Sequence, residues 1–490
     1  MNSDFLLYLQ LKICQSIGMS ATLGYNLFSE NSSYNSAYIT NSTILKFYSL
    51  SNSTEDPRAA DYLQKYRKKG IYGVVDFDYN DWLFLGLQAR NDWSSTLPEA
   101  NNSFFYPAVT LAADLTEVLE LDKDVFSFVK LRASLAQAGN DATPYKIFPV
   151  FTAAQATGGF ASTSFPIGGV SAFENGDRIG NENLQPEIST EWEIGGDFRL
   201  FHNRLGIDVA YFNKTTNNQI ISKELDPTTG YTSQTVNLGE ISNKGIELLV
   251  NAVPLIINDF EWGVNFNYSK IKNNVVSIGE ASEDGNSIII NTAYDVELRV
   301  EEGLPIGAIY APTAMTDDDG NIVVNPSNGL PLTAPEKKYM GSINPDFTLG
   351  FGTSLKYKAF KLSTNFDYRK GGVFYSYTAR LNYFVGNAWN SQYNDREPFI
   401  VPGSVNILED GTVVENTRQV DRSDIFTYWG ATDAAQENHV LDRTFLKMRN
   451  ISLEYILPKS LCSKIGINKG VVFLHLVEIY SYGHLTQIIT

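Results

Sequence analysis

Cysteine and methionine are scarce in this 490-residue chain, at 2 and 5 residues, and histidine occurs four times. Cys14 and Cys462 lie far apart and have neither CxxC nor metal-finger spacing, so neither a disulfide framework nor a thiolate metal site is indicated. His202, His439, His475 and His484 are scattered, with no HExxH, and nothing forms a metal cluster. Positive charge is also short. With 38 Lys+Arg against 55 Asp+Glu, the formal net charge is −17, and this argues against a nucleic-acid partner, because phosphate binding needs clustered cations. No apolar run reaches the roughly 18 residues of a transmembrane helix. The opening MNSDFLLYLQLKICQSIGMSATLGY lacks a basic start, a sustained apolar core and a small-residue cleavage site, so it does not read as a signal peptide. That leaves a cytoplasmic chain or one whose start lies further upstream.

What is plentiful is aromatic: 27 Tyr and 29 Phe, with Val, Thr and Asn, and few long Leu/Ala/Glu/Lys stretches, a composition that favours an all-β fold. From Glu191 the residues alternate. Trp192, Ile194, Phe198 and Leu200 are apolar, and Glu191, Glu193, Asp197 and Arg199 lie between them. The same period of two recurs from Phe260 to Ser269 and in the hairpin Phe347–Tyr357/Phe360–Tyr368. Further strands are expected at Ile71–Tyr79, Trp82–Asp92, Phe104–Leu115, Phe126–Ala138, Leu205–Asn213, Lys244–Ala252 and Phe445–Leu457. Many run about ten residues, against the about five or six usual in soluble proteins. Asn80-Asp81 and Lys358-Ala359 read as tight turns, whereas Gly139–Thr190, Asn273–Pro345 and Gly371–Arg443 read as long polar loops. Two architectures satisfy this pattern. In a soluble sandwich or propeller the apolar face packs on a second sheet; in an outer-membrane barrel it meets lipid, and the polar face lines a wet lumen.

Several longer phrases carry more information. NENLQPEISTEWEIGGDFRLFHNRLGIDVAYFNKTTNNQI resembles a segment of the SusC/RagA-type TonB-linked outer-membrane proteins, the nutrient transporters of Bacteroidetes. So do KGIYGVVDFDYNDWLFLGLQARNDWSS, FSFVKLRASLAQAGN, NKGIELLVNAVP, EEGLPIGAIY, GSINPDFTLGFGTSLKYKAFKLSTNFDYRKGGVFYS and DRTFLKMRNISLEYILP, in the family's order. The resemblance runs from about Gly18 to about Phe473. It implies part of a large antiparallel transmembrane barrel of the roughly 22-stranded, plugged type, with the plug and N-terminal strands missing, so that the chain is a truncated, non-transporting fragment. It further implies import of oligosaccharides or peptides, a SusD-like surface lipoprotein, coupling to TonB, and outer-membrane lipid around the wall. Residues 1–473 are thus expected to be partial barrel and 474–490 an out-of-frame tail. Codons for HLVEIYSYGHLTQIIT exist that, read two nucleotides on, spell SGRNLFLWTPDPNNY, which matches the family's continuation SGRNLFLWTP; sequencing the gene tests this.

No catalytic, cofactor-binding or metal-ligating residue is assigned, no cofactor is expected, and the substrate contacts are unknown. Asn183, Leu184, Pro186 and Glu187 read as a turn before a strand starting near Thr190. Asp317–Gly320 reads as a solvated turn, since Met315 stands where an EF-hand's first Asp belongs. Asp410-Gly411 is a hairpin turn, and Gly350 and Gly352 alternate as strand, not as a dinucleotide loop. Glu191 and Glu193 suit a glycosidase pair or a wet barrel face. The loop aromatics Tyr375, Tyr377, Tyr383, Phe384, Trp389 and Trp429 suit stacking on sugars or ordinary loop packing.

Overall fold

The computed structural model describes residues 1–158, 161–165, 167–279, 286–431, 433–464 and 466–483. Fourteen strands follow one another in a single antiparallel sheet: β1 Asn2–Cys14, β2 Ile17–Tyr38, β3 Arg58–Tyr79, β4 Leu83–Ser94, β5 Ser103–Asp114, β6 Phe126–Asn140, β7 Glu187–Leu200, β8 Leu205–Glu224, β9 Ser233–Ile257, β10 Phe260–Ser277, β11 Phe347–Tyr357, β12 Phe360–Lys370, β13 Phe445–Ile456 and β14 Val471–Gly483. Each neighbours its predecessor and successor in the chain, and Arg178–Ile179 adds a short parallel pairing to β9.

The strands are longer than the alternation alone suggested. β3 begins at Arg58, well before Ile71, and β9 runs through 25 residues. Their distal halves are polar, as in LFSENSSYNSAY of β2, and backbone pairing continues there with β3 as far as Tyr38↔Arg58. β1 and β2 escaped the sequence reading because FLLYLQLKI hardly alternates: Phe5, Leu6, Leu7, Tyr8 and Leu9 are all exposed. β14 spans part of the 474–490 tail; residues 484–490 lie outside the described residues.

Connections follow a parity. Those leaving odd-numbered strands run from two to fourteen residues, while those leaving even-numbered strands run from eight to 74. The tight turns use left-handed backbone at Asn80, Asp81, Asn258 and Lys358, residues that turn the chain between twisted strands.

The chain divides into two compact units. One comprises Met1–Leu111, Leu135–Thr190 and Asn217–Asn237. Its apolar core is small: Leu97, Phe104, Ala142 and Leu184, with Tyr106, Ile188 and Ile220 against it. Leu184 is wholly buried, so the NENLQPE turn is anchored by packing, and its strand starts at Glu187, whose carboxylate accepts from Ile220 N at 2.7 Å and Asn140 Nδ2 at 2.9 Å. Beside this core sits a charged cluster. Asp92, with no exposed surface, accepts from Arg90 Nε at 2.8 Å and Tyr106 OH at 2.6 Å and pairs with Lys68 at 3.2 Å. Gly70 faces it across the ladder, where a Cβ would stand 2.2 Å from Asp92 Oδ1. A neighbouring carboxylate, Asp141, accepts from Tyr66 OH at 2.9 Å and also from Ser94.

The second unit comprises Ala112–Ser134, Glu191–Thr216 and Leu238–Thr490. Its strands carry apolar side chains that stay exposed: Ile194 at 53%, Trp192 at 40%, and Leu355, Tyr357, Phe360 and Leu362 in the β11–β12 hairpin. Aromatic side chains of these strands stack across the ladder, as where Phe351 meets its cross-strand partner Phe366 at 4.7 Å. The interleaved residues are ion-paired. Arg132 of β6 forks onto Asp208 of β8, both bonds 2.9 Å, and reaches Glu193 of β7 at 3.2 Å. Exposed apolar residues opposite satisfied charges invert a soluble sheet, and this arrangement suits a lipid-facing wall. Phe198 and Leu200 are half-buried, and the Phe198 ring folds back over Gly196. Among the described residues no helix is long and apolar enough to cross a membrane.

Candidate substrate site in the loops

Within the second unit, the two longest connections, 278–346 and 371–444, build structure of their own. A four-stranded sheet, Ser287–Ala293, Val296–Glu301, Ala308–Ala311 and Lys338–Ser342, forms one part. Val296, Ile309 and Ala311 form its core, and Val324, Phe399, Val401, Val420 and Ile425 form a second. Glu297 is held well below the usual carboxylate range: burial opposes its charge, but bonds from Lys337 and Arg299 outweigh it.

The helix α1, Tyr377–Phe384, starts at Ser376, whose hydroxyl accepts from Ala379 N at 3.1 Å while its own N–H donates to His439 O at 2.7 Å. α1 places Arg380 3.8 Å from the centroid of the Tyr294 ring, which stacks on Tyr377 at 5.3 Å. Its last turn carries Tyr383 and Phe384 into a cavity of about 600 Å³. Phe426 meets Phe384 edge to face at 4.7 Å, and Trp429 lies 5.9 Å from Tyr383. The polar lining comes from Asp395, Arg396, Glu397 and Arg422, of which Glu397 and Arg422 are ion-paired.

Two features mark this cavity. Asn394, Asp395 and Arg396 all have left-handed backbone (φ 51°, 51° and 61°), a run that costs on the order of 1 kcal/mol per residue and is held by surrounding structure. The Arg396 guanidinium donates to Gly386 O at 2.7 Å. Second, Trp429 Nε1 is enclosed and meets no acceptor among the described residues. Behind the wall, His439 is 1% exposed with neither ring nitrogen paired, 5.3 Å from Tyr383; burial, and secondarily the Arg380 charge, push its imidazole down to about 4. Rings flanked by donors and acceptors of both signs can stack on a sugar face or an apolar side chain while bonding its polar groups.

Of the loop aromatics singled out from sequence, Tyr383, Phe384 and Trp429 line the cavity. Tyr375 donates to Gln436 at 2.9 Å, Tyr377 stacks on Tyr294, and Trp389 is 68% exposed and does not line this cavity. Arg396, Arg422 and Phe426 were missed, since charges spaced through a polar loop carry no periodic signal. Glu193 is tied to Arg132. Asp317 turns on itself, accepting from Asn321 N at 2.8 Å and Asp319 N at 3.0 Å, and the Asp410 carboxylate accepts from Thr412 N at 2.9 Å. Gly350 and Gly352 lie inside β11. Among the described residues no group of His, Cys, Asp and Glu has metal-site geometry.

Long antiparallel strands, an exposed apolar face, ion pairs on the other and loops at alternate connections are the marks of the outer-membrane barrel class. The family described as "TonB dependent receptor-like, beta-barrel" matches residues 6–407, and the chain belongs to it. It is 25% identical over 464 residues to TonB-dependent receptor P3 of Formosa agariphila, covering 88% of this chain and 42% of that protein. It is 24% identical over 402 residues to TonB-dependent receptor SusC of Bacteroides thetaiotaomicron, covering 78% of this chain and 37% of SusC. The structure of the RagAB peptide transporter superposes with a TM-score of 0.77 at 16% identity, covering 99% of this chain and 52% of that one. The chain therefore spans less than half the length of these curated relatives. Its fold is the TonB-dependent receptor barrel fold of the SusC/RagA type, and its place is the outer membrane.

Proposed function

We propose that this chain supplies barrel wall and substrate-contacting loops to a TonB-dependent importer of oligosaccharides or peptides that works with a SusD-like surface lipoprotein. The observation that carries this reading is the family match over most of the chain, joined to loops that enclose an aromatic cavity with strained backbone and an unpaired indole donor. TonB coupling would act through parts of the protein outside this chain. No catalytic role is proposed. A passive porin is the weaker reading, because a pore needs no such pocket.

The test is to purify the outer-membrane protein and its co-purifying lipoprotein from the native host, then titrate oligosaccharide and peptide pools. Retention of one pool, lost on Trp429→Ala together with Phe384→Ala, supports the reading. Retention of neither, or retention unaffected by both substitutions, overturns the loop cavity as the contact site. Growth of a gene-deletion strain on each pool tests import itself.

A further inference from the structure

β12 ends in Arg369-Lys370-Gly371-Gly372, and the two glycines take φ of 74° and 81°, a backbone that turns the chain sharply out of the sheet. At that corner two guanidiniums converge. Arg369 Nη2 donates to Ile343 O at 2.8 Å, and Arg443 Nη1 reaches the same oxygen at 3.5 Å. A neutral carbonyl cannot balance two positive charges, and like charges that converge on one acceptor repel each other. Arg369 Nε is enclosed and meets no acceptor among the described residues.

Among the described residues neither arginine forms an ion pair. Asp367 is paired with Arg449, Asp442 accepts from Thr444 N at 2.5 Å, and Asp346 lies against Gly371, where a Cβ would stand 2.6 Å from its Oδ2. Gly372 lets the backbone pass close beneath the pair: a Cβ there would come 2.9 Å from Asn344 O and 3.0 Å from both Arg369 Nη2 and Ile343 O. The corner thus holds two guanidiniums, one enclosed donor and, among the described residues, no ion-paired carboxylate on either arginine, in a chain whose formal net charge is −17.

We propose that Arg369 and Arg443 form a binding site for an oxyanion, a carboxylate, sulfate or phosphate group that both guanidiniums clasp. Planar guanidiniums bond such groups through two parallel N–H donors, and two guanidiniums converge here on one carbonyl oxygen. The anion enters on an acidic cargo residue or as a phosphate, free or on a lipid headgroup; the chemistry at the arginines is the same. The site stands apart from the aromatic cavity and does not rest on the import reading.

The test is calorimetric titration of the purified chain in detergent at low ionic strength with sulfate, inorganic phosphate, a glucuronate-ended oligosaccharide and phosphatidate-doped micelles. The wild type is expected to bind at least one probe saturably. Arg443→Gln and Arg369→Gln each weaken it roughly ten- to a hundredfold, the worth of one charge-assisted bond, and the double variant abolishes it. Arg443→Lys gives an intermediate loss, because an ammonium keeps the charge without the fork. Strongest binding of the oligosaccharide identifies acidic cargo, and strongest binding of a phosphate probe identifies phosphate; either supports the site. No saturable binding of any probe, or equal binding by wild type and double variant, overturns it. Heat-modifiable gel mobility reports folding, and Arg443, being exposed, carries the test should Arg369→Gln misfold.

Discussion

At the scale of the residue, the buried carboxylates Asp92 and Glu297 are matched locally. Asp92 sits at 0% exposure only because Lys68, Arg90 and Tyr106 converge on it from β3, β4 and β5. Asp92→Ala leaves two cations facing each other without an anion, so a loss of about 3–5 kcal/mol is expected in urea unfolding followed by gel mobility, the usual penalty for half of a buried pair. His439 makes a different prediction. Its neutral form is the one the fold accommodates, burial and then the Arg380 charge pushing its pKa down from the ordinary 6.5 to about 4. The unfolded chain therefore binds the proton first, so stability is full above about pH 6.5 and falls as pH drops towards 4, by at most about 3 kcal/mol. Acid-dependent protease cleavage within 371–444 is expected in that window, and His439→Phe should flatten it. A loop equally resistant at pH 4 and pH 7 would contradict this.

At the scale of the element, the two faces of a strand carry opposite predictions. Ile194, 53% exposed on β7, would tolerate lysine freely in a soluble sheet, where surface changes are nearly neutral. In a barrel wall, Ile194→Lys is expected to cost about 2–4 kcal/mol near the bilayer midplane, read by refolding into lipid vesicles at graded urea. On the other face, Arg132→Gln breaks a fork whose members are each about a third exposed, and a loss of only about 1 kcal/mol is expected in the same assay. The alternation of Trp192 and Ile194 with Glu191 and Glu193 already contained this asymmetry. Strand ends were not legible, because β2, β3 and β9 continue past their apolar stretches on backbone pairing, which leaves no periodic mark.

At the scale of the whole molecule, connection length sorts by parity, so loops with cores of their own stand at one end of the strands. Separate cores predict separate behaviour. Limited proteolysis should release fragments cut within 39–57, where Leu45 and Tyr48 are 86% and 94% exposed, before it cuts at Val401 or Val420, which are buried. Early cleavage at both places would show that the second loop core is not formed.

By itself the sequence determined that the chain is all-β, that its strands have an apolar and a polar face, and that three long loops interrupt them. Those features follow from local chemistry, namely period-two alternation, β-branched and aromatic residues, and polar turns such as Asn80-Asp81 and Lys358-Ala359. Only the tertiary structure decided that Tyr383, Phe384 and Trp429 share a cavity with Arg396 and Arg422, and that Arg369 and Arg443 meet over one carbonyl. The reason is distance along the chain. Arg443 lies 74 residues beyond Arg369 and a full loop away, and a spacing of that length records no angle or face until the strands between are paired.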